Sequence, residues 1–307
     1  MFLIKKYIKK NNKNAFTIIE LSIVILVISV MVVGVATGKS LITKARLANA
    51  KSLTRQSVIN DMGDDLIAWY ETSLEGSFKE SETKTDGSAI TLWKDSNKNA
   101  VNKNDAFAVM PLDITNQPKL FQNVFYNSIP GLRFSGAQYL NFNGTKFAKN
   151  SYTVFVVEQR RSGISQNYFI AGDTDGFNQN LVLGYRYNTI VTQAHWGNDF
   201  DVPTAIPSYS AQNLIPRIHT FLFNNSIGKQ YTLNGKHNYA DYKQGDSPTK
   251  LEPLISFFSS RIGYYRGGNS FYLGDLAEII MFKRSLKTEE VEAIESYLGS
   301  KYGIPVS

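Results

Sequence analysis

The 307-residue sequence predicts an α+β chain: a long apolar N-terminal helix, an antiparallel β-sandwich and a short C-terminal helix. First, a run from Ile18 to Ala36 is apolar except for one charged residue, Glu20. Second, beyond Gly63 short aromatic and β-branched runs alternate with Gly, Asn, Pro and Asp, which is typical of strands and turns. Third, the segment from Phe271 onward reads as a strand followed by an amphipathic helix.

Composition limits the classes of function. The chain has no Cys, which excludes disulfides and thiolate chemistry. Its formal net charge is +7, but residues 1–15 hold five lysines and no acid, so the remainder carries only +2. The basic excess is therefore an N-terminal feature, and we predict no nucleic-acid partner.

The apolar run of 19 residues, 18–36, would span about 28 Å as a helix, close to the thickness of a bilayer core. The lysines before it predict a single-pass helix with a cytoplasmic N-terminus and the bulk of the chain outside. Three other interpretations fit an apolar run of this kind: a signal peptide cut near Ala36, an uncleaved signal anchor, and a buried core helix.

Glu20 distinguishes among these interpretations. A lone acid in lipid costs on the order of 3 kcal/mol, so its place in the run needs a reason. A Lys-rich leader, then Ala15, then "FTIIE", then the apolar run resembles the prepilin segment of type IV pilins and type II secretion pseudopilins. The resemblance implies a leader of residues 1–15, cleavage by a prepilin peptidase between Ala15 and Phe16, and N-methylation of Phe16.

The same resemblance implies how the subunits assemble. The new ammonium of Phe16 would pair with Glu20 of a neighbouring pilin or pseudopilin subunit, so two charges that are costly alone become a matched pair in low dielectric. Gly34 and Gly38 form a G-x-x-x-G spacing that allows helices to approach closely, although such spacing also arises by chance. We predict one helix over residues 16–63, ended or bent by Gly63.

Residues 64–307 predict the sandwich. About a dozen strand-like runs, among them "LIAWY", "YTVFVVEQR" and "LVLGYRYN", favour an antiparallel jelly roll. This part resembles the concanavalin A-like lectin/glucanase fold in its laminin-G-like form. The resemblance rests on Trp69, on Trp93 and Asp95 in "LWKDSNKN", on "PGLRFSG", and on the closing "FYLGDLAEIIMFKRSLKTEEVEAIESYLGSKYGI".

The closing helix is predicted to bury Val291, Ile294 and Leu298 on one face, with Thr288 as its N-terminal cap. Asp275 and Glu278, just before it, are the candidate carboxylate pair for glycoside hydrolysis. Their spacing of three places them on opposite faces of a strand, and the E-x-D-x-x-E pattern of the family's glycanases is absent. We therefore predict that the chain is not an enzyme.

Two oxygen-rich loops are candidate calcium sites, and no other metal or cofactor is predicted. The first holds Asp95, Asn97 and Asn99, and the second, "GDTDGFN", holds Asp173 and Asp175. Asn and Asp also build turns without any ion. Five aromatic residues are candidates for stacking on sugar rings, with burial in the sandwich core as the alternative: Tyr185, Tyr187, Trp196, Tyr264 and Tyr265.

Together these features predict a minor pilin or pseudopilin whose lectin-like head has a structural or adhesive role, with surface glycans or proteins as its partners. The chain would sit in the bacterial inner membrane before assembly. Afterwards it would belong to a pilus or pseudopilus, periplasmic or on the cell surface. One alternative is a membrane-anchored surface carbohydrate-binding protein outside any pilus, and another is a secreted glycan-active enzyme.

Overall fold

The computed structural model describes residues 18–307 except positions 111, 127, 174–175, 204–205, 240–251 and 259, and gives the backbone alone at 36 and 237–239. The predicted processing site, Ala15 and Phe16, lies outside the described residues. The chain divides into two compact units, residues 1–45 and residues 46–307.

The first helix, α1 (Ile18–Arg55), begins with the apolar run. Its side chains there are exposed, as at Leu26, which is 64% exposed. Among the described residues this is the one helix that is long and apolar enough to span a membrane, a property shared by anchors and signal sequences.

The prediction of one helix through Gly63 is wrong at its C-terminal end. Helix α1 ends at Arg55, and Ser57 has extended backbone angles of −61° and 141°. The Ser57 hydroxyl accepts a hydrogen bond from the backbone N of Ile59 (3.3 Å), so it caps a separate 3₁₀ segment, Val58–Asp65. A serine that bonds the backbone in this way competes with helix continuation.

The strands follow in chain order. They are β1 (Leu66–Glu71), β2 (Ser88–Ala89), β3 (Leu92–Trp93), β4 (Ala106–Phe107), β5 (Lys119–Phe125), β6 (Ile129–Ser135), β7 (Leu140–Phe142), β8 (Tyr152–Arg160), β9 (Asn167–Ala171), β10 (Val182–Tyr187), β11 (Ile190–Ala194), β12 (Asp199–Val202), β13 (Arg217–Asn224), β14 (Gly228–Leu233), β15 (Lys236–Tyr239), β16 (Ser260–Ile262), β17 (Tyr264–Tyr265), β18 (Ser270–Phe271) and β19 (Leu273–Phe282).

The strands form two antiparallel sheets in a sandwich-like arrangement. The first sheet has the order β15-β14-β13-β8-β19-β6-β5-β2, with β1 also paired to β19. The second has the order β12-β11-β10-β9-β16-β7-β4-β3, and β17 and β18 form a short separate pair. Consecutive strands pair as hairpins at several places, as in β13-β14-β15 and β9-β10-β11-β12, whereas the central contacts β13-β8, β8-β19 and β19-β6 join strands that are far apart in the sequence.

A core rich in aromatic residues fills the space between the two sheets, with Trp93, Tyr152 and Phe169 fully buried in it. A second cluster lies on the outer face of the first sheet, where Trp69 and Phe155 pack against the C-terminal helix. The first sheet is thus buried on both faces.

The C-terminal helix, α2 (Thr288–Tyr302), confirms the predicted short helix. Val291, Ile294 and Leu298 are buried as predicted. The cap is different: Lys287, not Thr288, holds the N-cap position, and its backbone N donates to the Glu290 carboxylate (2.8 Å). Glu290 therefore supplies the side-chain half of a capping box that Lys287 cannot complete.

A buried ionic cluster fixes α2 to the first sheet. Lys301 Nζ lies 3.1 Å from a Glu71 oxygen and 2.8 Å from a Glu278 oxygen, and all three side chains are 0% exposed. Trp69 Nε1 and Tyr302 Oη donate to Glu278 at 2.7 and 2.8 Å. Burial alone would raise the pKa of Glu71, but Lys301 and nearby hydroxyls outweigh it and lower that pKa.

The prediction that Asp275 and Glu278 face opposite ways is wrong. The pairing of β19 with β8 shifts between Leu276 and Glu278, and this bulge changes the alternation of side chains. Leu276 points into the intersheet core, so Asp275 and Glu278 both lie on the outer face. The two carboxylates have different partners. Asp275 binds Arg133 (2.6 Å) and Arg161 (2.5 Å), whereas Glu278 binds Lys301.

Candidate functional site

An open groove on the outer face of the second sheet brings together three of the five aromatic residues predicted for sugar stacking. Tyr187, Trp196 and Tyr265 line it, and its volume is about 470 Å³. We call it the aromatic groove; its other lining residues are Ser165, Gln166, Tyr168, Val182, Arg186, Ala194, Gly197 and Asp199.

Strand alternation and one bulge select the side chains that reach the groove. In β10, Leu183 and Tyr185 point into the intersheet core, so Val182 and Arg186 point outward. The pairing of β10 with β11 shifts between Tyr185 and Tyr187, and Tyr187 also lines the groove. A continuous strand would have turned Tyr187 inward.

Trp196 is held at the groove by a strained turn between β11 and β12. The φ angles are 57° at Trp196 and 78° at Gly197, and His195 N donates to the Asn198 carbonyl (3.3 Å). Two successive positive φ values define the type I′ turn, which favours Asn and Gly. A bulky aromatic residue in this region is an outlier that costs about 1–3 kcal/mol, and such strain clusters at ligand sites. The position therefore points to a function of the Trp196 ring.

The residues around Trp196 keep its ring in place. Its ring centroid lies 5.7 Å from that of Tyr265, which in turn lies 5.6 Å from that of Tyr168. His195 anchors the turn through Tyr152 Oη (2.8 Å) and the Glu252 carbonyl (3.0 Å). Burial lowers the pKa of His195, so the imidazole stays neutral and can serve both partners.

Charged groups line the groove beside the aromatic rings. Arg186 binds Asp199 (2.6 Å) and Asp201 (2.9 Å), which leaves this trio with one net negative charge. Partial burial alone would lower the pKa of Arg186, but the two carboxylates outweigh it and raise that pKa. The groove thus offers flat apolar surface, a guanidinium donor and carboxylate acceptors, the combination that orients a polar ligand carrying hydroxyls.

The other two aromatic candidates lie elsewhere. Tyr185 is fully buried and donates to Glu158 (2.6 Å), so its ring is not exposed to a ligand, which corrects that assignment. Tyr264 is half-buried and stacks on Phe271 with ring centroids 4.2 Å apart. It does not line the groove.

The first predicted calcium loop uses its oxygens to accept hydrogen bonds from backbone N atoms, two within the loop and one on strand β1. Asp95 Oδ1 accepts from the backbone N of Trp69 (2.9 Å) and of Asn97 (3.0 Å), and Asn97 Oδ1 accepts from Asn99 N (3.0 Å). The bonds to Asn97 N and Asn99 N are those that Asx turns make without an ion, and the bond to Trp69 N ties the loop to β1.

In the second predicted calcium loop, Asp173 forms an ion pair with Arg261 (2.5 Å), whereas Asp175 lies outside the described residues. Throughout the described ranges, no group of three or more His, Cys, Asp or Glu side chains is placed to hold a metal. Calcium binding stays a prediction.

Sequence reasoning missed eight of the eleven groove residues, and the three that bear on ligand binding are Tyr168, Arg186 and Asp199. The sequence did contain a signal for Arg186, which stands between two tyrosines in "YRY". Because adjacent side chains of a strand point to opposite faces, Arg186 must face away from at least one of these tyrosines. Asp199 gave no such signal, because its role depends on the pairing of β12 with β11.

The predicted assembly residues lie on α1. Glu20 is in the first helical turn with an exposed side chain. At Gly34 and Gly38 an added Cβ would meet no atom within 4 Å, so the surface at both positions is open. A role for these residues in helix packing stays a prediction.

No protein-family model matches the chain. No curated protein matches it either. Among solved structures, it is similar to the Trypanosoma rangeli sialidase in complex with sialic acid, with 15% identity and a TM-score of 0.48 over 80% of this chain and 34% of that one. It is also similar to the CBM40 of the Ruminococcus gnavus IT-sialidase bound to α2,6-sialyllactose, with 14% identity and a TM-score of 0.42 over 54% of this chain and 96% of that one.

These comparisons correct one prediction. Sialidases are enzymes, so the prediction that the chain is not an enzyme is contradicted and is withdrawn. The chain spans about a third of the length of the T. rangeli sialidase, and the likeness assigns no reaction to it.

Proposed function

We propose that the head of this protein binds carbohydrate in the aromatic groove. The observation that carries the proposal is the conformation of Trp196, an aromatic residue at a positive φ of 57° beside an open groove. Asn or Gly at this position would adopt the positive φ without strain. The presence of a Trp therefore calls for a function of its indole ring.

The groove fits the chemistry of a sugar. Trp196 and Tyr265 present ring surface to the apolar C–H face of a pyranose, and Asp199 and Arg186 can bind its hydroxyls as acceptor and donor. Its volume of about 470 Å³ falls in the usual range for small-ligand sites, about 300–1,000 Å³.

A glycan array with the full chain in detergent tests the proposal. Trp196→Asn removes the ring and supplies a residue that tolerates the positive φ, so the variant should fold and lose binding at least tenfold. Phe107→Ala is the matched control, because Phe107 is also an exposed aromatic residue of the second sheet but lies on β4, outside the groove. Equal binding by wild type and Trp196→Asn would contradict the proposal.

We further propose that α1 is the filament helix of a type IV pilin-like subunit, a minor pilin or a pseudopilin, that carries a concanavalin A-like jelly-roll head. The exposed apolar surface of residues 18–35 and the Lys-rich segment before it support insertion in a bacterial inner membrane. Cleavage before Phe16 would free an ammonium one helical turn from Glu20, which gives the acid a partner on a neighbouring subunit.

Mass spectrometry of the mature chain from cells tests this part. A methylated Phe16 at the N-terminus supports the pilin proposal, whereas a chain that begins at Met1 supports a surface protein anchored by residues 18–36. Glu20→Ala should abolish filament assembly. Ser29→Ala is the control, since the Ser29 hydroxyl bonds only the Ile25 carbonyl of the same helix (2.7 Å) among the contacts of the described residues.

A further inference from the structure

A second pocket of the head is lined by two buried arginines. Its volume is about 240 Å³, and Arg160, Tyr209, Ser210, Asn213 and Arg217 line it; we call it the arginine pocket. The two arginines are only 2% and 6% exposed. They come together because β8 ends where β13 begins, and these two strands are paired.

Within the described ranges, Arg160 is held in place by carbonyl groups and an aromatic ring, with no carboxylate in direct contact. Its two terminal nitrogens donate to the carbonyls of Asn188 and Pro207, each at 2.5 Å, and its guanidinium lies 4.6 Å from the centre of the Tyr185 ring. Its buried Nε has no hydrogen-bond partner among the described residues, and no carboxylate of those residues lies within 4.0 Å of Arg160. A cation buried in this way is costly unless an anion joins it.

The acid behind the pocket, Glu158, already has other partners. It accepts hydrogen bonds from Tyr185 Oη (2.6 Å), Tyr272 Oη (2.8 Å) and His219 Nε2 (3.1 Å), and it lies 3.7 Å from Arg217. Burial lowers the pKa of His219, so the imidazole adds no charge. Glu158 lies within 4.0 Å of Arg217 but not of Arg160, so these three groups of the described chain together keep one excess positive charge.

The arginine pocket and the aromatic groove are linked through two consecutive residues of the chain. Tyr187 lines the groove, and the next residue, Asn188, contacts the arginine pocket twice. Its carbonyl accepts from Arg160, and its side-chain oxygen accepts from the backbone N of Tyr209 (3.0 Å). Consecutive Cα atoms are about 3.8 Å apart, so the walls of the two sites are neighbours along the chain.

We propose that the arginine pocket binds the carboxylate of an acidic sugar, as an anionic subsite beside the groove. This inference rests on the proposed carbohydrate binding and names the class of glycan. A guanidinium is a planar fork whose donors match the two oxygens of a carboxylate, and Arg160 has donors to spare. Sulfate is another anion that sugars carry, and the experiment separates it from a carboxylate.

The experiment titrates the full chain in detergent with D-glucuronate, D-glucose and inorganic sulfate by calorimetry. Asn213→Asp adds a carboxylate of nearly the same size at the exposed rim of the pocket and should weaken glucuronate binding at least tenfold. Gln212→Glu is the matched control: it makes the same change of charge at an exposed neighbour outside the pocket and should change binding less than twofold. Arg160→Lys keeps the charge but removes the fork, and should also weaken glucuronate.

The outcomes distinguish a failure of this inference from a failure of the proposed binding in the groove. Glucuronate binding that survives Trp196→Asn but falls in Asn213→Asp supports the arginine pocket. Equal affinity for glucuronate and glucose, or equal glucuronate affinity in Asn213→Asp and wild type, overturns it. Sulfate binding without glucuronate binding overturns the assignment to a carboxylate. Glycan binding in the groove without glucuronate binding leaves the proposed function standing and removes only this inference.

Discussion

The outer faces of the two sheets of the head differ in how far they are covered. The outer face of the first sheet is covered by α2, where Lys301 of the helix binds Glu71 and Glu278 of the sheet, and all three side chains are 0% exposed. The outer face of the second sheet carries the open groove, where Arg186 and Asp199 each keep 26% of their side chains exposed.

The difference shows which charged groups stabilise the fold and which are accessible to a ligand. Under α2 each ionic group is desolvated, so it must be satisfied within the protein, and its removal exposes the full cost of burial. In the groove, water still reaches the ion pairs, so they contribute little to stability and can exchange water for the hydroxyls of a ligand. Substitutions on the two faces should accordingly act on different properties.

The largest expected effect is on the covered face. Lys301→Met removes the cation and leaves Glu71 and Glu278 buried together, which should lower the free energy of unfolding by about 3–5 kcal/mol. Urea denaturation measures it. Lys283→Met is the control, because Lys283 is exposed and should change stability by less than about 0.5 kcal/mol. Similar small losses in both variants would contradict a structural role for the cluster.

Acid should weaken the head in two stages. His195 and His219 have lowered pKa values in the fold, so the unfolded chain binds protons first as the pH falls below about 6.5. Stability is then complete above about pH 7 and falls by up to about 1.4 kcal/mol per pH unit for each histidine.

Glu71 and Glu158 also have lowered pKa values, so their contribution is present above about pH 4.3 and is lost at lower pH. The free energy of unfolding, measured by denaturation at pH 7.5, 6, 5 and 4, should therefore fall by a larger amount at each successive step. A free energy of unfolding that stays constant from pH 7.5 to pH 5 is incompatible with buried neutral histidines.

A smaller effect is expected in the turn of the groove. At Gly197, where φ is +78°, an added Cβ would lie 2.5 Å from the Phe177 ring, so Gly197→Ala should cost about 1–3 kcal/mol. Gly76→Ala is the control, since a Cβ there meets nothing within 4 Å and φ is not positive. Thermal unfolding compares the two, and equal melting temperatures would argue against a tight turn beneath Trp196.

The order of structural elements could be predicted from the sequence, because it follows from the apolar run, the strand-like runs and the amphipathic α2. The faces could not be predicted, because bulges change the alternation of side chains. The bulge after Tyr185 brings Tyr187 to the groove, and the one after Leu276 places Asp275 and Glu278 on one face. Such register shifts depend on the partner strand, which a period-two pattern does not contain.

The arginine pocket escaped prediction for a related reason. Arg160 and Arg217 are far apart in the sequence and meet only because β8 pairs with β13. Arg160 is the last residue of the apolar strand β8, and Arg217 is the first residue of β13. Arginines at strand ends are usually exposed, so the sequence does not predict their burial.

The most direct test of the account is a calorimetric titration of wild type and Trp196→Asn with the strongest glycan from the array, alongside their melting temperatures. We predict nearly equal melting temperatures, because the loss of ring packing is offset by relief of the positive φ, and at least a tenfold loss of glycan affinity. Undiminished affinity in a folded Trp196→Asn variant would contradict the claim that this ring is held in a strained turn to bind sugar.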